Sequence, residues 1–189
     1  MERRCGILDR KEGAPVKAKL YRALFHPLGM AVVGLLTGVA VKLLDVYCYA
    51  QHFGVSLGDI FSQAGVWVVI GVAISLYSPS TRRAMVDLPI FCAGMLLTYY
   101  MTAEMTGAVY GWSFIWFWAA FACLSPFLAY LARLTLRPGA LALVLKLGVF
   151  AGYVGMNLFL GYFLHYYDLP FLAILVYLLF LKKWRKPEV

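Results

Sequence analysis

The stretch Gly29–Tyr49, GMAVVGLLTGVAVKLLDVYCY, decides how the rest of the chain is read. It is 21 residues long and apolar enough to cross a bilayer, whose hydrocarbon core takes about 20 helical residues. It also holds Lys42 and Asp45, which a lipid-facing helix avoids. At about 100° per residue, Ala31, Gly34, Gly38, Lys42 and Asp45 fall on one arc. The small residues that admit a neighbouring helix therefore share a face with the two charges. One side of this helix is expected to pack against other helices, with the charges pointing into that packing.

Composition sets the class. Of 189 residues, 63% are apolar and 14% charged, which excludes an ordinary soluble domain. The net charge of +8 is topological. Seven Lys/Arg precede the first span, and Arg82 and Arg83 follow the second. Arg133 and Arg137 follow the fourth, and Lys182, Lys183, Arg185 and Lys186 follow the sixth. Only Lys42 and Lys146 lie inside spans, and the alternate connections carry no basic residue. This is the positive-inside pattern. It predicts an all-α, six-span bundle with short loops in the cytoplasmic membrane and both termini cytoplasmic.

The expected organisation is a basic segment over 1–26, a transmembrane domain over 27–181 and a basic tail over 182–189. Val16, Leu20 and Leu24 recur every four residues among Lys17, Lys19 and Arg22, as in a helix lying on the membrane surface. The later spans are read as Ile60–Tyr77, Leu88–Thr106, Trp112–Leu131, Ala140–Leu164 and Leu169–Leu181. Pro89 is expected in a first turn, where its missing N–H costs nothing. Asp87 is expected to start that span.

Lys42 lies fourteen residues past Leu28, about 21 Å into a core of roughly 30 Å. Glu104 is expected at a similar depth. Two readings stand side by side. Lys42 and Asp45 form a structural i,i+3 pair, or they floor a pocket open to the outside. In the second, Asp45, Asp59, Glu104 and Asp168 outnumber Lys42 in the outer layer, and Tyr99 and Tyr100 stand among further aromatics at Tyr47, Tyr49, Tyr110, Trp112 and Trp116. Such a vestibule could hold a cation by charge and by aromatic faces. An interfacial aromatic belt is the competing account of those rings. The candidate ligand-binding set is Lys42, Asp45, Glu104, Tyr99 and Tyr100.

Gly148, Gly152 and Gly155 make a stripe expected, like Gly34 and Gly38, to pack closely against a neighbour. Lys146, Tyr153 and Asn157 fall on the opposite side, a secondary polar set. Lys146 is close enough to the inner surface to snorkel, and Asn157 is deep enough to need a hydrogen-bond partner. Cys5, Cys48, Cys92 and Cys123 show no paired spacing, and His26, His52 and His165 are scattered. No zinc, nucleophile-elbow or phosphate-loop motif is present. No enzyme activity, metal or cofactor is expected.

Gly34-Leu-Leu-Thr-Gly38 followed by Lys42-Leu-Leu-Asp45 resembles the opening span of a bacterial family of small integral membrane proteins carrying a domain of unknown function. So do Tyr77-Ser-Pro-Ser, Ala84, Asp87, Phe91-Cys-Ala-Gly94-Met95, Tyr99-Tyr100 and Ser125-Pro126. The resemblance implies a six-helix fold and no activity. Where that family tends to carry arginine, this chain has Lys42, which keeps the charge without the bidentate geometry. The short-looped six-helix plan also resembles the substrate-binding subunits of energy-coupling-factor vitamin importers, without their ligand signatures. The function expected is binding or transport of a small, cationic solute through an outward-facing polar site. The alternative is a non-catalytic accessory or assembly protein working through helix contacts. The partners expected are the lipid bilayer, a small-molecule solute, and protein subunits or a second copy of the chain; nucleic acid is not among them.

Overall fold

In the computed structural model the described residues are 20–21, 23–47, 57–108, 111–161, 166–182 and 184. The surface-helix reading falls largely on residues outside these, as do Cys5, Cys48, Tyr49, His52, Tyr110, His165 and most of the basic tail. Among the described residues the structure is helical throughout, with no strand. The helices are α1 (Pro27–Tyr47), α2 (Leu57–Ser62), α3 (Ala64–Tyr77), α4 (Thr81–Met105), α5 (Trp112–Leu134), α6 (Ala140–Gly161) and α7 (Asp168–Val176). A π turn, Tyr177–Leu181, continues α7. Helices α1, α4, α5 and α6 are long and apolar enough to cross a membrane. The other two apolar helices, Ala64–Tyr77 and Asp168–Leu181, are shorter.

The tightest seam joins α1 to α4, which run parallel. Gly34 lies against the Phe91 backbone and Gly38 against the Met95 carbonyl and the Thr98 hydroxyl. Lys42 follows, over the Tyr99 ring. Each pair stands four residues beyond the last on both helices, so one ridge of each fits the other. The Thr98 hydroxyl donates to the Leu35 carbonyl across the seam at 2.8 Å. From the other side, a Cβ on Gly94 would sit 3.1 Å from the Ala31 carbonyl oxygen. Lipid offers apolar side chains no reason to leave it, so this close approach is what holds the pair.

Helix α3 is the hub, touching α4, α5, α6 and α7. Half of its fourteen residues are buried. A helix apolar all round belongs inside a bundle. Val69, Val72 and Leu76 of α3 pack with Tyr153 of α6 and with Leu175, Leu178 and Leu179 at the end of the chain. A smaller cluster, Ala84 and Leu88 with Ala129, joins α4 to α5.

Three sequence expectations change here. The second span is interrupted: Gln63 adopts an extended backbone between α2 and α3. The Trp67 indole donates to the Phe61 carbonyl at 2.8 Å, satisfying an acceptor freed by the break. Helix α4 begins at Thr81, earlier than expected, because the Ser80 hydroxyl caps it by accepting from the Arg83 N–H at 3.2 Å. Asp87 and Pro89 therefore lie inside the helix. The stripe on α6 is the third. A Cβ on Gly148, Gly152 or Gly155 would meet nothing within 4 Å. The opposite side of α6 is the packed one, with Tyr153 and Asn157 buried and pressed on Gly65 of α3.

Candidate functional site

The polar contacts gather at two ends of the bundle. At one end, the end expected to face the cytoplasm, Arg83 donates to the Phe25 carbonyl at 3.0 Å. Arg133 donates to the Leu76 and Ser78 carbonyls at 3.3 and 2.9 Å. Tyr21 donates to the Tyr77 carbonyl. Lys182 stands over the Tyr77 and Trp184 rings, 3.8 and 4.2 Å from their centroids. Arg133 neutralises the carbonyl end of α3, Arg83 ties α4 to the residues before α1, and Lys182 packs on the Tyr77 and Trp184 rings, a structural arrangement. Asp87 is fully buried beside them and meets the Ser78 hydroxyl at 3.3 Å through one carboxylate oxygen.

At the other end, α1 supplies Lys42 and Asp45 one turn apart, so the side chains meet on one face. Lys42 Nζ donates to Asp45 Oδ2 at 2.7 Å. The pair is asymmetric. The lysine side chain is 4% exposed and the aspartate 32%. Lys42 Nζ also lies 5.0 Å from the centroid of the Tyr99 ring, in cation–π range. The ammonium is thus held between a carboxylate and an aromatic face, and the half-exposed carboxylate is the charge that solvent can reach.

The pair opens into a cavity of about 300 Å³. Tyr99, Tyr100, Met95 and Leu96 of α4 form one wall, Phe61 and Trp67 flanking the helix break form another, and Gly111, Phe114 and Trp118 at the start of α5 complete it. The rings meet edge-on: Trp67 with Trp118 at 6.5 Å and Tyr99 with Tyr100 at 5.3 Å between centroids. An irregular backbone at membrane depth is tolerated where it lines a cavity, and the Gln63 break sits at this one. The Gln63 side chain donates to the Tyr167 hydroxyl at 2.8 Å, and its own oxygen is buried without a partner.

Four of the five expected ligand-binding residues thus come together: Lys42, Asp45, Tyr99 and Tyr100. Glu104 does not. It is exposed, and it lies five residues beyond Tyr99, about 140° around α4 from the face that meets Lys42. The carboxylate that pairs with Lys42 is Asp45. Asp168, expected in an acidic outer layer, is buried at the start of α7, where Tyr153 donates to its carbonyl at 3.3 Å. Tyr47, Trp112 and Trp116 are each more than two-thirds exposed and do not line the cavity, as suits belt residues. The secondary polar set separates too. The Asn157 amide donates back to the Tyr153 carbonyl at 3.1 Å, and Lys146 stands 5.7 Å from the Phe180 ring centroid. Phe61, Trp67, Phe114 and Trp118 were not anticipated. The four-residue spacing of Phe114 and Trp118 placed them on one face, but nothing in it said that the face was inward.

Among the described residues, no group of three His, Cys, Asp or Glu side chains is placed to hold a metal. No known protein family, curated protein or solved structure matches the chain.

Proposed function

We propose that the chain is a six-span protein of the cytoplasmic membrane that binds a small cation-bearing solute at the Lys42–Asp45 cavity, on the outer side. One observation carries the reading. A carboxylate already anchored by its own lysine remains accessible in a cavity walled by aromatic rings. A buried ammonium fixes the position of Asp45, while Tyr100, Trp67 and Trp118 line the same cavity as aromatic partners for a second cation. The two shorter helices extend the four-span core to six. Helix α3 is carried towards the outer layer by α2, and α7 is carried towards the inner layer by its π turn and by Lys182 after it.

The topology has a direct test. Reporter fusions after Phe53, Gly107 and Tyr167 should read outside, and fusions after Arg82 and Arg137 inside. A fusion pair on the same side of α3 or α7 would remove one of the short spans.

The site is tested by accessibility and binding together. In a background lacking Cys48, Asp45→Cys should react with a membrane-impermeant thiol reagent, and Leu43→Cys, on the exposed apolar side of α1, should not. Choline or tetramethylammonium should bind the purified protein, with affinity falling at least about tenfold in Asp45→Asn, as expected when a desolvated charge loses its counter-charge. An unreactive Asp45→Cys together with no ammonium binding would leave Lys42–Asp45 as a purely structural pair.

The accessory reading has its own support: the glycine side of α6 stands open, as a docking face for another helix would. It gains ground if Gly152→Leu abolishes co-purification of a partner subunit while ammonium binding is unchanged.

A further inference from the structure

A second, larger cavity of about 450 Å³ runs between α3, α4, α5 and α6. Its walls are almost wholly apolar, and it is within the size range of small-molecule sites, about 300–1,000 Å³. Leu128 and Leu131 of α5 and Val144 and Gly148 of α6 lie along it and are exposed, so it is a slot that opens sideways between those two helices. The open glycines explain the slot. Gly148 and Gly152 project no side chain where α6 faces α5, and a Cβ at either would meet nothing within 4 Å.

The slot and the polar cavity adjoin, with shared walls between them. Trp67, Met95, Leu96 and Trp118 line both. The polar cavity holds an accessible carboxylate among aromatic rings, and the slot beside it is hydrocarbon-like and open sideways. A water-soluble solute would use only the first part. A molecule with a cationic head and a long apolar chain uses both.

We propose that the ligand is an ammonium-headed membrane lipid, its head at Asp45 and the Tyr99, Tyr100 and Trp118 rings, and one hydrocarbon chain in the slot between α5 and α6. This rests on the cation-binding reading of the Asp45 cavity and adds the source of the cation. The charge complement selects the head: the reachable member of the Lys42–Asp45 pair is the anion. The lateral opening gives the hydrocarbon chain contact with the bilayer. Anionic lipids are disfavoured at this position because no exposed cation lines the cavity.

The test uses the full chain purified in detergent, with lipid retention followed by native mass spectrometry and melting temperature by thermal shift. Phosphatidylethanolamine should bind at least tenfold more tightly than phosphatidylglycerol of the same chain length. Gly148→Leu/Gly152→Leu, whose Cβ atoms have open space around them and whose side chains would fill the slot, should lose that binding at least tenfold with an unchanged melting temperature. Choline should still bind that variant. Asp45→Asn should bind both lipids alike. Equal binding of the two lipids by wild type, undiminished in the slot variant, would show ordinary lipid contact and overturn the proposal. Retention of phosphatidylethanolamine by the slot variant would also overturn it, leaving a head-only site if choline binding still depends on Asp45. Absence of any Asp45-dependent ammonium binding would remove the cation site itself.

Discussion

Gly38→Leu is expected to destabilise the protein severely, and Gly152→Leu to leave it almost unchanged. Both glycines sit mid-helix in stripes of similar spacing, so helix propensity treats them alike. Their surroundings differ. A side chain at Gly38 would enter the Met95 carbonyl and the Thr98 hydroxyl. The first is backbone and cannot rotate away. The second holds the 2.8 Å bond to Leu35 that locks α1 to α4. Overpacking costs about 1–3 kcal/mol where side chains can shift, and here α1 itself must move. A loss of about 3 kcal/mol or more lowers the melting temperature by roughly 6–12 °C in a protein of this size. At Gly152 an added Cβ meets nothing within 4 Å, and the rest of the leucine has the open slot to occupy. Thermal unfolding in detergent measures both. Equal melting temperatures for the two variants would mean that the parallel α1–α4 seam is wrong.

The Lys42–Asp45 pair should respond unequally to the loss of either partner. Asp45→Leu leaves an ammonium whose side chain is 4% exposed. Removing one member of a buried pair costs about 3–5 kcal/mol, because the remaining charge has lost its compensation. The Tyr99 ring recovers only part of that. Lys42→Met leaves the carboxylate, 32% exposed, which water can solvate, so the loss should be nearer about 1 kcal/mol, as for surface pairs. The double variant Lys42→Met/Asp45→Leu should be more stable than Asp45→Leu alone. Melting curves of the three proteins decide the matter. Additive effects, or the reverse order of the single variants, would remove the charge asymmetry on which the binding site depends.

What could be read in the sequence was what one helix determines by itself. The arc of Gly34, Gly38, Lys42 and Asp45 follows from helical periodicity alone, and those residues do share the packed face of α1. Periodicity also grouped Gly148, Gly152 and Gly155 correctly on one side of α6. It could not say which side was buried, because that depends on where α3 offers Gly65 to Tyr153 and Asn157. Small residues permit close packing without compelling it. Glu104 was misplaced for a related reason. Its depth was reckoned from an expected helix start, and neither that start nor the azimuth of α4 relative to α1 is encoded in the hydropathy of either. The break at Gln63 is not legible because a single polar residue inside an apolar stretch is also compatible with a continuous helix, and the indole that stabilises the break lies on the next turn.

The pairing of Lys42 with a residue on its own helix has a consequence for how the chain enters the membrane. Helix α1 is synthesised first, and the α4 residues that will cover its charged face follow much later; Thr98 lies 63 residues after Leu35. At about 5–20 residues per second of translation, α1 waits roughly 3–13 s before its partner exists. A lone ammonium at that depth would have to face lipid throughout the interval, at about 2.5–3.5 kcal/mol on insertion scales. Asp45 needs no other helix to reach it. The two charges can therefore leave the translocon already joined, and α1 is delivered to the bilayer as an electrically neutral segment that holds its place until α4 arrives.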